Sequence, residues 1–95
     1  MRRIDITNEE GTFEGWFNLD AADKIAEYKE GDAYIDGKIL FRTASGKLVV
    51  NDWNNSGRDI YRLPNGDTEI AEILALGGYD GNDTRLLKIL KQCEI

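Results

Sequence analysis

Ninety-five residues, 41% hydrophobic and 32% charged, make one domain's worth of chain, which excludes a second core and a disordered composition. The net charge is −6 and histidine is absent, so the commonest general base, histidine-based nucleophilic triads and most zinc sites are excluded. No stretch approaches the ~20 apolar residues that span a bilayer, and no apolar run follows the two N-terminal arginines, so a cytoplasmic setting without a secretory leader is the expectation.

The chain opens on two alternating stretches, residues 2–7 and 12–17, joined by Asn8-Glu9-Glu10-Gly11, and this predicts a β-hairpin. Simple alternation puts Phe13 and Phe17 on one face and Trp16 on the other, beside Glu14. From Asn18 to Glu30 the spacing predicts a helix, with Asn18 as N-cap and Gly31 as the stop. Ala22, Ile25 and Ala26 would face inward, and Asp20, Asp23, Glu27 and Glu30 would form an acidic outward stripe.

A short strand at Ala33–Ile35, a tight turn at Asp36-Gly37 and a strand over 38–43 are expected next. Turns at Ser45-Gly46 and Asn54–Gly57 then lead into strands over 47–53 and 58–63. Each link is too short for a crossover, so the order is an antiparallel meander. Leu48 and Val50 share one face and Val49 and Trp53 the other, which predicts cover on both sides of that strand. After Pro64-Asn65-Gly66, a helix over 69–76 with Ile70, Ile73 and Leu74 inward stops at Gly77-Gly78. A last helix, capped by Asn82 or Asp83, runs to about Gln92 and would bury Leu86, Leu87, Leu90 and Cys93. The predicted whole is a single α+β domain over residues 1–95: a meander sheet, an N-terminal hairpin, one acidic helix after it and two short C-terminal helices.

Charge is unevenly placed. Between Asp5 and Asp36 ten acids face two lysines, leaving −8, whereas from Gly37 onward eight acids balance eight bases. A field of that sign repels nucleic acid and attracts basic protein surfaces. Two loops look like calcium ligands, Asp52–Gly57 and Asp80–Thr84. The twelfth position, where a bidentate glutamate is needed, is Leu63 in one and Lys91 in the other. No Walker-type or dinucleotide glycine motif occurs. Neither a cofactor, a metal nor a catalytic residue is expected, and the chain reads as a non-enzyme.

The segment Leu40–Trp53, with Gly15–Ala22 upstream and Glu69–Leu74 downstream, resembles a loose group of short bacterial and phage proteins. Their hairpin runs aromatic-Arg-Thr, two free positions, Gly, a basic residue, one free position, Val, Val or Leu, two free positions and a final Trp; here it is carried by Phe41-Arg42-Thr43, Gly46-Lys47, Val49-Val50 and Trp53. The sequence departs from that pattern at Leu48, where the group has tryptophan, and at Asn54-Asn55-Ser56. The resemblance implies a small phage- or mobile-element-type accessory protein, comparable in size and charge to anti-CRISPR inhibitors, and carries over no catalytic residue. The expectation is an inhibitor that docks a partner with a basic surface, such as a nuclease complex, through Glu14, Trp16, Asp20, Asp23, Glu27 and Glu30 as a DNA mimic. The alternative is a small DNA-binding regulator using the C-terminal helices, with Arg85, Lys88 and Lys91 on one face. An exposed edge at Ala33–Ile35 would let two chains pair into a homodimer.

Overall fold

The computed structural model describes residues 1–31 and 36–95. In chain order the elements are β1 (Arg3–Thr7), β2 (Phe13–Asn18), a 3₁₀ turn (Leu19–Ala21), β3 (Asp23–Glu30), β4 (Asp36–Arg42), β5 (Leu48–Asn54), β6 (Asp59–Arg62), α1 (Asp67–Leu76) and α2 (Thr84–Gln92). β1 and β2 pair antiparallel as a two-stranded sheet, and β3-β4-β5-β6 form a four-stranded antiparallel meander. The class is α+β, as the alternation and turn signals predict.

The three layers follow from the register. Ala26, Leu40 and Val50 stand in one cross-strand row, so they share a face. With Leu48 and Tyr28 they pack against Ile70, Ile73 and Leu74 of α1 and Leu86 and Ile89 of α2. The opposite face carries Val49 and Tyr61, and the hairpin covers it with Ile6 and Phe17. The Phe17 and Tyr61 rings lie 5.7 Å apart between centroids. β5 is therefore sandwiched, and Leu48, Val49, Val50 and Asn51 are buried in succession.

The acidic helix does not form. Asn18 does act as a cap, its Oδ1 accepting from the Asp20 amide, but the turn it starts ends at Ala22, whose backbone is extended. Residues 23–30 become β3 and pair with β4 over their length. A helix there would offer the core one isoleucine between two alanines and would be marginal by itself. As a strand, the same residues complete a ladder and set Ala26 and Tyr28 against the helices, so tertiary pairing overrides local propensity.

Two smaller corrections follow. Asp36 and Gly37 are not a turn but the first residues of β4, opposite Asn54 and Trp53; the expected strand at Ala33–Ile35 lies outside the described residues. On α2, Ile89 is buried where Leu87 and Cys93 were expected to be, and both of those are exposed. Leu86 is buried as expected and Leu90 is half-buried.

Gly37 is required by close approach rather than by φ. A Cβ there would stand 2.6 Å from the Trp53 ring and 2.7 Å from the Tyr28 carbonyl oxygen. Gly37→Ala is expected to cost ~1–3 kcal/mol, lowering the melting temperature by roughly 5–15 °C in a thermal scan. An unchanged melting temperature would show that Trp53 does not pack over this glycine.

Candidate protein-docking surface

The hairpin is the outermost layer on its side of the sheet, and its geometry turns on one extra residue. Ile6 faces Gly15 and Thr7 faces Phe13, so Glu14 is bulged out of the ladder. Gly15 has φ +144°, a conformation that side chains other than glycine rarely adopt. The bulge reverses the alternation before it. Phe13, opposite Thr7, now shares the outer face with Trp16, opposite Asp5, while Phe17, opposite Ile4, points into the core.

Phe13 is 55% exposed and Trp16 53% exposed, in contrast to Phe17 at 6%. Arg3 lies over the Trp16 ring at 5.7 Å and donates from Nε to Asp5 at 2.9 Å. In the hairpin loop, Asn8 Oδ1 accepts from the amides of Glu10 and Thr12, a fold-back that leaves Glu9 and Glu10 exposed. Half-exposed Ile60 and Leu63 line a separate groove of about 750 Å³ in which Glu9 and Glu14 are joined by Arg58 and Arg62. Two large exposed rings with Glu9, Glu10 and Glu14 exposed along the same hairpin suit a partner that is itself apolar and basic.

Of the predicted docking residues, Glu14 and Trp16 lie together on this hairpin. The other four are dispersed. Asp20, in the 3₁₀ turn, sits 3.7 Å from the N-terminal amine, and Asp23 begins β3 with Arg42 3.9 Å away. Glu27 accepts from Lys24 at 2.7 Å, and Glu30 is exposed at the far end of the strand. The stripe required a helix, and with the helix it is lost. Phe13 was missed because strict alternation placed it beside Phe17; the mid-strand glycine at position 15 was the available signal of a bulge.

A second concentration of polar groups lies where α1 meets the sheet. Arg62 donates to Asp52 Oδ2 at 2.6 Å and, from both terminal nitrogens, to Glu69 at 2.6 and 2.7 Å. Glu69 also accepts from Lys38 at 3.1 Å and from the Asn65 amide at 2.9 Å, and Tyr28 donates to Glu72 at 3.1 Å. The Arg62 hydrogen bonds hold the Glu69 carboxyl down to about 2, and burial, reinforced by Glu72, pushes the Tyr28 phenol up. Arg62, Asp52 and Glu69, all largely buried, satisfy one another, which makes the cluster a clamp between helix and sheet.

The loops that resemble calcium sites are occupied by backbone. Asn54 accepts from the Ser56 and Arg58 amides, and Asp83 caps α2 through the Leu86 amide at 3.1 Å. Among the described residues no group of three or more His, Cys, Asp or Glu could hold a metal ion. On α2, Arg85 donates to the Gly46 carbonyl and Lys91 pairs with Glu94. No helix among the described residues is long and apolar enough to cross a membrane. No family model matches this chain, and comparison with curated proteins and with solved structures likewise yields no match.

Proposed function

We propose that this protein is a binding module that docks a partner with a basic surface through the outer face of its hairpin, without chemistry of its own. Two aromatic rings on the outer face of the hairpin, each more than half exposed, with Glu9, Glu10 and Glu14 exposed along it, carry the reading. Rings in that position are poor for stability and good for anchoring an interface. The acidic first third supplies a field that steers a basic partner toward them. The partner class is a nucleic-acid-handling protein whose basic cleft the module fills, as an anti-CRISPR-like inhibitor of phage or mobile-element type would. DNA binding by α2 has less support, because two of its three cations are already engaged within the protein.

The test is affinity capture from nuclease-treated host lysate, followed by quantitative binding of the captured protein. Phe13→Ala with Trp16→Ala is expected to weaken that complex by at least about tenfold while leaving the melting temperature within a few degrees. Glu14→Lys is expected to slow association, as added salt would. Affinity unchanged by the aromatic pair would overturn the reading, and loss on Arg85→Glu with Lys88→Glu instead would transfer it to α2.

A further inference from the structure

We propose that the groove along the outer side of β2 accepts an extended peptide segment of the partner by strand addition. A large apolar side chain of that segment is seated on Ile6, Phe17 and Val49. The inference rests on the docking reading above and specifies one mode of it.

The groove is about 390 Å³, and its lining includes Glu14, Gly15, Trp16, Phe17 and Asn18 in unbroken succession. A regular strand shows only alternate residues on either face, so Trp16, Phe17 and Asn18 in a row, beyond the bulge at Glu14, mean that the groove runs along the strand's side. That side is the unpaired one: β2 pairs with β1 alone in a two-stranded sheet. Such an edge presents backbone N–H and C=O groups without ladder partners, the template for an added strand.

The opposite wall is the β4–β5 turn, which brings Thr43, Ser45 and Lys47 to the groove. The two hydroxyls lie 3.0 Å apart, and Lys47 is exposed with no salt-bridge partner among the described residues. An added strand has a second edge of its own, and its carbonyls would face the Lys47 ammonium and the one hydroxyl proton that the Thr43–Ser45 pair does not use internally. The floor is apolar, and the volume sits at the low end of ligand pockets, suited to one large side chain with its backbone. Glu14 on the rim favours a lysine or arginine flanking that residue.

The other long edge is defended. β3 carries charged side chains at both ends, Asp23 and Lys24 at one and Lys29 and Glu30 at the other. Beside it the α1 terminus packs so closely that a Cβ on Gly77 would stand 3.0 Å from the Glu27 carbonyl oxygen. Of the two longest edge strands, β2 is thus the one left open to strand addition.

The probe is a peptide of about seven residues with alternating threonine and valine, a central phenylalanine and a lysine at each end. Its counterpart has identical side chains but N-methylated central amides. Titrated into the ¹⁵N-labelled protein, the first is expected to shift amides of residues 14–18 and 43–47 saturably. The methylated peptide should bind about tenfold more weakly or worse, since the backbone N–H donors of its central amides are removed. Equal binding of the two peptides, shifts confined to other residues, or no saturable binding at millimolar peptide would each overturn strand addition. None of those outcomes touches the aromatic-face reading, which stands or falls on the Phe13 and Trp16 variants with the captured partner.

Discussion

Glu69→Ala is expected to lower folding stability at neutral pH by about 3 kcal/mol, at the lower end for a broken buried pair because Arg62 keeps Asp52. The carboxylate accepts from Arg62, Lys38 and the Asn65 amide together, so its loss leaves three donors short at the junction of α1 and the sheet. Glu69→Gln, which keeps the shape and an acceptor, should lose less. The pH dependence separates charge from packing. A carboxyl held at about 2 when folded and near ~4.3 when unfolded contributes stability that is fully present above the unfolded value. That contribution disappears as pH falls through the folded value. Urea melts at pH 7 and at pH 2.5 should show the gap between wild type and Glu69→Ala narrowing in acid. A gap constant with pH would mean that Glu69 acts through packing alone.

Leu40→Ala is expected to cost ~3–5 kcal/mol, the largest effect of any single truncation considered. Leu40 is fully buried at 0% exposure, in the middle of β4, and belongs to the cluster that joins the sheet to both helices. In a domain of this length, stable by only ~5–14 kcal/mol, that change approaches global unfolding at 37 °C. Chemical denaturation would read it as a lower midpoint with unchanged slope. Trp16→Ala and Phe13→Ala, by contrast, should cost ~0.5 kcal/mol or less, since both side chains are already largely in water. A small effect at Leu40, or a large one at Trp16, would place the core on the wrong side of the molecule.

These contrasts show how the two aromatic roles divide. Phe17 and Tyr61 are core, Trp53 is packed over a glycine, and Phe13 with Trp16 are surface. Composition shows only that the chain is rich in rings. The bulge at Glu14 decides which of them a partner could touch.

Much of the architecture was legible locally. The glycines at 11, 46 and 57 take positive φ in the turns expected of them. Leu48, Val49 and Val50 predicted cover on both faces of β5, and the two core clusters supply it. Asp83 caps α2 as its side-chain chemistry suggests, and Ile70, Ile73 and Leu74 lie inward on α1. Such features depend on a residue and its near neighbours, and no distant partner can easily reverse them.

What the tertiary structure decided is of another kind. Residues 23–30 satisfy a helical pattern about as well as an extended one, and the choice fell to β4, which offers a full ladder and a place for Tyr28 against α1. That single choice dispersed Asp20, Asp23, Glu27 and Glu30. The bulge that exposes Phe13 and the pairing of Arg62 with Glu69, seven residues on and in another element, likewise come from contacts between elements. From its sequence alone this protein is an acidic antiparallel α+β domain with turns and caps in place. Where its acids and rings meet a partner is set by strand pairing and register, because one residue's shift moves every side chain beyond it to the other face.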